Sequence, residues 1–385
     1  SEGKVGGGQL ARLSIMEKLQ QDGFAPVLLS SFENELTDEA RQRNLEVKVE
    51  PILQQPDRFK RQNLFMPPTR PINTFLRCFK AGRKLADVLD NLNADLLQPN
   101  ENLSRTIAIL GKWYHSVPMV CHIDGEWWGS LAEWIMRNVY RYAFDHLIAT
   151  SPTVAGIYSK NGSLPSNVSV VHRGIDPDPF LDHSDGTIRG ELGLEDEFLT
   201  ATIGRLEILK GQGDVLEAMD RIHKTSGIDN WHHLFVGEGD NERPLRKKVN
   251  EYNLEEVVHF LGYREDIPGI LSDIDCLIHP SYSESGPLVI LEAGFSGIPV
   301  IATDVGGTPE YLNHGKFGWM YEPGNISELA TALKTIMSMD GQKRREIGRD
   351  LREHCMNNFT LENMYNNTKA IYEKLLHDGV TNDGK

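Results

Sequence analysis

The chain of 385 residues is 39% apolar and 25% charged, the composition of a soluble globular protein, and it is too long for one comfortable core, so two domains are expected. No apolar run approaches the roughly 20 residues that cross a bilayer, which excludes a spanning helix, and no signal peptide shows at the start. The formal net charge of −15 argues against a general nucleic-acid binder, because polyphosphate binding needs a basic surface.

The first element expected is an amphipathic helix. "SEGKVGGGQLARLSIMEKLQQDG" reads as a glycine loop followed by a helix whose apolar face is Leu10, Leu13, Ile15, Met16 and Leu19. A loop of this kind usually follows a strand, so a short segment upstream of the sequence is expected, a sheet without that strand being the plain alternative. Strand-length runs then alternate with helix-length stretches: "FAPVLLSS", "ADLLQP", "VPMVCHID", "HLIATS" and "VSVVHRG" read as strands. After a turn-rich passage around "DPDP", residues 176–179, the pattern restarts with "FLTATIGR", "HHLFVGEGD", "VVHFLGY", "CLIHPS", "PVIATD" and "GWMYEP". Two successive α/β units of parallel sheet and covering helices follow, joined near residue 175. A helix from about Leu361 to Leu376 belongs to neither repeat.

Cys78, Cys121, Cys276 and Cys355 form no CxxC pair and no zinc-ligand spacing, so reduced thiols in a cytoplasmic protein are expected. Charge is uneven: Arg58 to Lys84 holds eight Lys or Arg and no acid, leaving the rest at −23. Phe59, Leu64, Phe65, Met66, Phe75, Leu76 and Phe79 interleave with those cations. The segment suits an anionic membrane surface or a lipid-diphosphate acceptor, and equally a solvated loop and helix with ordinary core contacts.

Four stretches carry chemistry. In "TATIGRLEILKGQGDVLEAM", Gly204 lets a ligand approach the end of a strand, and Arg205 and Lys210 bring a guanidinium fork and a point charge that suit a diphosphate. Two solvated cations before a helix are the plain alternative. In "YSESGPLVILEAG", Pro287 fits the first position of a helix running to about Phe295, whose amides and dipole favour an anion. Glu284 could cap that helix. Glu292, roughly 7.5 Å along its axis, sits among apolar neighbours and needs polar partners. A retaining glycosidase places its two carboxyl groups about 5 Å apart. One acid in a turn and one on a helix eight residues on are expected to lie further apart and to serve different parts of one ligand. "VGEGD", residues 236–240, reads as a strand end near that ligand or a plain turn. Asp273-Ile274-Asp275 has the look of a metal-binding pair but enters a strand, and is read as structural.

"ESGPLVILE", "GRLEILKG", "CHIDG" and "TDVGGTPEYL", in their places along nearly the whole chain, give it its resemblance: it resembles the retaining glycosyltransferases of glycosyltransferase family 4. The resemblance implies the GT-B fold, two Rossmann-like domains facing across a deep cleft, with a C-terminal helix after "NNFTLENMY" crossing back to the first. It places the acceptor-side domain at 1–174, the nucleotide-sugar-binding domain at 175–358 and the closing helix at 359–385. Arg205 and Lys210 would hold the diphosphate of a sugar nucleotide, Glu292 the ribose, and Glu284 the donor sugar near the reacting carbon. Ser285, Gly286, Pro287 and Leu288 would offer backbone groups, His122 would face the sugar and acceptor, and Gly7 and Gly8 would approach the phosphates. Tyr263 and Arg264 would lie against the base.

The resemblance also implies transfer with retention by a front-side route, no metal or other cofactor, and a carbohydrate or lipid-linked acceptor in polysaccharide or glycoconjugate synthesis. The cysteines and the basic segment add the expectation of a cytoplasmic enzyme, peripheral at the inner face of a membrane through residues 58–84. Two departures stand out: Ser285-Gly286-Pro287 where many members carry glycine and phenylalanine after the first glutamate, and His172-Arg173-Gly174 in place of Pro-Asn-Gly. A sugar-nucleotide 2-epimerase and a non-catalytic sugar-nucleotide-binding protein share the architecture. The first needs a different set of acids and histidines, and the second would have lost some of the residues present here.

Overall fold

The computed structural model describes residues 7–51, 69–123, 136–159, 162–181, 188–226 and 230–382. Two compact units result: Ser1–Ala149 with Ala155–Val171 and Tyr365–Lys385, and Thr150–Val154 with His172–Met364.

The first unit holds parallel strands in two described sheets, β1 (Val27–Ser30) with β2 (Glu46–Val49), and β3 (Val120–Ile123), β4 (His146–Ala149) and β5 (Val168–Val170) in that order. β4 is buried at all four positions, as a strand covered on both faces must be. The run "ADLLQP" differs from expectation: Pro99 and the polar residues beside it interrupt pairing, and only an isolated bridge from Leu97 to Met119 forms. The helix Gly7–Gln21 begins at Gly7, while the basic segment before residue 69 lies outside the described residues. The rest of that segment is in the helix Thr69–Leu92, which is packed on the helix Asn102–Gly111. The closing helix Leu361–Asn382 runs further than its apolar pattern suggests. In this unit its Tyr365 hydroxyl donates to Asp22 at 2.5 Å, Lys369 pairs with the same carboxylate, and Tyr372 bonds Gln98.

The second unit is one six-stranded parallel sheet of β6 (Phe198–Ile203), β7 (Trp231–Val236), β8 (Val258–Gly262), β9 (Cys276–His279), β10 (Val300–Thr303) and β11 (Trp319–Tyr321). Side chains alternate across it. Leu277 joins Ile290 and Leu291 on one face, while Cys276 and Ile278 join Leu216 and Leu333 on the other, so both faces carry a helix-covered core. The spatial order is β11-β10-β9-β6-β7-β8. The order reverses between β6 and β9, and ligands of such sheets bind at the carboxyl ends of the strands at that reversal.

The chain enters and leaves this unit at one clasp. Ile175 bridges Thr360, and its N–H donates to Phe359 O at 3.3 Å. A side chain at Gly174 would place Cβ 2.2 Å from Thr360 O, so only glycine fits.

Candidate functional site

The loops leaving β6 and β9 are knit together where the strand order reverses. Gly211, at φ +67°, lies so close to Pro280 O that a Cβ would approach it to 1.9 Å. Tyr282 N–H donates to Leu209 O at 2.8 Å and Ser281 Oγ donates to the same carbonyl at 3.2 Å. The "VGEGD" loop braces the other side, Leu206 N–H donating to Glu238 O at 2.9 Å. That loop leaves β7 beside the β6 loop, at the same end of the sheet.

Within this frame Lys210, in the short turn Ile208–Lys210, sets Nζ 2.5 Å from Glu284 Oε1. His279, the last residue of β9, brings Nε2 to 3.1 Å from the same oxygen. Burial by itself would push the Glu284 carboxyl up; His279 and then Lys210 outweigh it and bring the carboxyl down to about 2. Glu284 is therefore an anion throughout the neutral range, with Oε1 engaged and Oε2 without a hydrogen-bond partner among the described residues. The backbone beneath it is equally fixed. Gly306, at φ +55°, would drive a Cβ to 1.7 Å from Glu284 O. Gly286 is overlaid by Tyr311, whose hydroxyl lies 2.8 Å from where a Cβ would stand, and Arg173 is beside it.

The helix that follows spans Leu288–Ser296 rather than starting at Pro287, which occupies the N-cap with ψ 111°. The next residue's helical turn explains this: Ile290 N–H reaches back to Pro287 O at 3.2 Å. The amides of Leu288 and Val289 have no acceptor within the helix, by helix geometry, and face the strand-end region with the positive end of the dipole. Glu292 stands in the second turn, partly buried, with no hydrogen-bond partner among the described residues. Burial pushes its carboxyl up to about 7.

Arg205 reaches solvent and pairs with Glu207 at 2.6 Å, with 74% of its side chain exposed. Such a pair is worth at most about 1 kcal/mol, so the guanidinium is easily recruited. Tyr263 and Arg264 follow β8. Tyr263 is 47% exposed, whereas Arg264 is held by Asp266 at 2.6 Å and Glu191 at 3.2 Å, which raises its already high pKa. The residues brought together at the reversal are thus Arg205, Lys210, Glu284, Ser285, Gly286, Pro287, Leu288 and Glu292; Tyr263 and Arg264 follow β8 at the same end of the sheet, two strands away from β6.

Asp273 and Asp275 lie at the opposite end of the sheet, where β9 begins. Asp275 Oδ2 accepts Leu199 N–H and Arg189 Nη2, both at 2.9 Å, and Asp273 Oδ2 accepts Arg189 N–H at 3.1 Å. No group of three metal-binding side chains occurs among the described residues.

In the first unit His122 is in β3, and its carbonyl accepts Arg105 Nη2 at 2.7 Å. Arg105, 6% exposed, thereby fixes the strand end that carries the imidazole. Gly7 and Gly8 occupy the first turn of their helix, where amides lack intrahelical acceptors.

His279, Tyr311 and Gly306 stand in "CLIHPS" and "TDVGGTPEYL" but carry no role in the expectations from sequence. His279 carried a usable signal: it ends the strand "DCLIHPS" at the end of the sheet where ligands bind. Tyr311 and Gly306 belong to a motif of the resemblance, but their proximity to residues 284–286 is created by folding of the loop after β10 and leaves no mark in spacing.

Residues 5–179 match the family described as Glycosyltransferase Family 4, and residues 184–354 match Glycosyl transferases group 1. N-acetyl-alpha-D-glucosaminyl L-malate synthase of Bacillus anthracis is 28% identical over 77% of this chain and 78% of its own. D-inositol 3-phosphate glycosyltransferase of Mycobacterium sp. (strain JLS) is 30% identical over 50% of this chain, a match that spans 45% of that relative's length. Among solved structures, Anabaena Alr3699/HepE in complex with UDP superimposes with a TM-score of 0.79 at 21% identity, over 97% of each chain. A glycosyltransferase from Rickettsia africae gives 0.79 at 18% identity, over 96% of this chain and 95% of its own.

Proposed function

The chain belongs to glycosyltransferase family 4, with the GT-B architecture of two Rossmann-like domains, and from that premise we propose that it transfers a sugar from a nucleoside diphosphate sugar to a hydroxyl acceptor with retention of configuration. The observation that carries the proposal is the ionised Glu284 beside Lys210 at the strand-order reversal. Breaking the bond between the anomeric carbon and the diphosphate builds negative charge on the leaving group and positive charge on the sugar. Arg205, Lys210 once turned from Glu284, and the amides of Leu288 and Val289 stabilise the first, and the second oxygen of Glu284 favours the second. Glu292 would accept hydrogen bonds from the ribose hydroxyls and Tyr263 would lie against the base, while the resemblance would give His122 the sugar and acceptor and Gly7 and Gly8 the phosphates. Glu284 has Oε1 held by two partners and Glu292 stands in the second turn of the helix that follows, an arrangement that favours front-side departure, with the leaving phosphate taking the acceptor's proton, over a second carboxylate as nucleophile. No metal is required by this charge pattern.

HepE was solved with UDP and with UDP-glucose, so uridine donors head the panel to be tried. Incubating the protein with UDP-, GDP- and ADP-sugars should release nucleoside diphosphate from one of them. Conversion to an epimerised donor would make it a 2-epimerase, and binding without turnover would make it a sugar-nucleotide-binding protein.

A polysaccharide or glycoconjugate acceptor at a membrane face fits the helix Thr69–Leu92. Arg77, Lys80, Arg83 and Lys84 are exposed, with Leu76 at 51% beside them. Phe79 meets Tyr114 edge-on at 5.4 Å, and the neighbouring Trp113 is 80% exposed. Cations flanked by an exposed indole suit anionic headgroups. The protein would then act in the cytoplasm, peripheral at the inner face of the membrane. Flotation with anionic vesicles should be lost when Arg77, Lys80, Arg83 and Lys84 are neutralised; unchanged binding would remove the membrane from the account.

A further inference from the structure

We infer that His279 is a positioning residue for Glu284: it holds one carboxylate oxygen from the end of β9, so that Lys210 can turn to the donor's diphosphate while Glu284 keeps its aim. The inference rests on the reading of Glu284 as the acid facing the donor sugar.

Two donors, Nζ of Lys210 and Nε2 of His279, converge on Oε1 at 2.5 and 3.1 Å. They differ in freedom. The Lys210 side chain is 26% exposed on a flexible four-carbon stem, whereas that of His279 is 7% exposed. The backbone is fixed at His279, which pairs with Ala302 in the β9–β10 ladder, and just after it, where Thr303 Oγ1 donates to Ser281 O at 2.5 Å and Tyr282 N–H donates to Leu209 O. Of the two partners, Lys210 is therefore the one able to leave. If it alone held Glu284, its departure toward phosphate would strand a buried carboxylate, which costs several kcal/mol unless the group takes up a proton. A proton on Glu284 would remove the negative charge that the oxocarbenium-like sugar needs. His279 prevents that exchange.

The charged and titratable groups facing Glu284 are Lys210 from the β6 loop, His279 from β9, and Tyr311 from the helix Thr308–Tyr311, with Arg173 next to Tyr311. Tyr311 is buried and its hydroxyl has no hydrogen-bond partner among the described residues. Burial is the largest influence on Glu284, and it acts upward; His279 comes next and acts downward. Removing the imidazole leaves burial opposed by Lys210 alone.

The test uses the full chain labelled with carboxyl-13C glutamate, the Glu284 resonance being assigned by its loss in Glu284→Gln. In His279→Ala the Glu284 titration midpoint should rise by about one unit or more. kcat for nucleoside diphosphate release should fall about tenfold to a hundredfold, as when outer partners that orient a functional group are removed. Its acid limb should move toward neutral pH, because Glu284 now takes a proton at higher pH. His279→Gln, whose amide N–H can replace the imidazole donor, should keep the midpoint near wild type and recover most of kcat, and it carries the test if the alanine variant does not fold. An unmoved midpoint in a folded His279→Ala protein, or a moved midpoint with wild-type kcat and pH profile, overturns the inference. A glutamine variant that matches alanine overturns it too. Absence of diphosphate release by the wild type from every donor would instead overturn the proposed function, and the carboxyl titration would still decide whether His279 holds Glu284.

Discussion

Lys210 Nζ and Glu284 Oε1 stand 2.5 Å apart across the gap between the loops of β6 and β9, so the site's cation and anion neutralise each other until a third charge arrives. A diphosphate is such a charge. Lys210→Ala and Glu284→Ala should each lower nucleoside diphosphate release by about 10²–10³-fold, the usual loss when one preorganised group facing developing charge is removed. Initial rates on the best donor, with thermal melts to confirm folding, measure this; wild-type rates in both folded variants would refute the assignment of the site.

Glu292 supplies a pH signature. Burial raises its carboxyl from an ordinary 4.5 to about 7, so the native state holds the proton more tightly than the unfolded chain. The stability this group contributes is full below about pH 4.5 and is lost as pH rises through about 7. Glu292→Gln should therefore stabilise the protein at pH 8 by about 1–3 kcal/mol and leave stability at pH 4.5 nearly unchanged. Urea unfolding at the two pH values distinguishes this from a pH-independent packing effect. Donor affinity should run the other way in the wild type, strengthening from pH 6 to pH 8 as the carboxylate becomes ionised and able to accept the ribose hydroxyls.

Gly306→Ala tests the floor of the site. Its φ of +55° is strained for alanine, and the new Cβ meets Glu284 O. Destabilisation of about 1–3 kcal/mol is expected, together with a fall in kcat larger than the loss of folded protein explains, because the displaced atom belongs to Glu284. A normal kcat in the folded fraction would show that the carboxylate's position tolerates movement of its own backbone.

Gly286→Phe restores the residue that the family pattern carries after its glycine. Here Tyr311 occupies the space, its hydroxyl 2.8 Å from the Cβ position. The single variant should lose about 1–3 kcal/mol through overpacking. Combined with Tyr311→Ala, itself costly as a cavity, the total should fall short of the sum of the two by about 1 kcal/mol or more. Strict additivity, measured by chemical unfolding of the four proteins, would mean that residues 286 and 311 do not share a volume.

Much of this architecture was legible because buried parallel strands write themselves as unbroken apolar runs. "CLIH" and "VIAT" are buried at every position and stood out from their surroundings. β2 did not: "EVKV" alternates charge with valine beside an exposed Glu46, too short and too polar to separate from a loop. "ADLLQP" shows the converse, an apolar triplet whose neighbours prevent a ladder. The two acids, the cations and the proline of the site were visible as residue types at telling intervals. Their partners were not, since Lys210 and Glu284 are 74 positions apart and only the strand order sets them side by side. The sequence reading sent Lys210 to a phosphate; the fold gives it first to a carboxylate, a distinction that depends on side-chain distances no spacing records.

The clasp at Gly174, Ile175 and Thr360 makes the second unit a cassette. Its main stretch, residues 172–364, begins and ends at neighbouring points, so the unit can be excised or transplanted with two joints only a few residues wide. Chimeras that keep the glycine at 174 and exchange everything between the joints would inherit a donor's recognition loops intact, the five residues 150–154 being the one part that must be redesigned in the recipient. The same narrow neck gives recombination a natural seam, at which the six-stranded sheet and its covering helices can be exchanged as one piece.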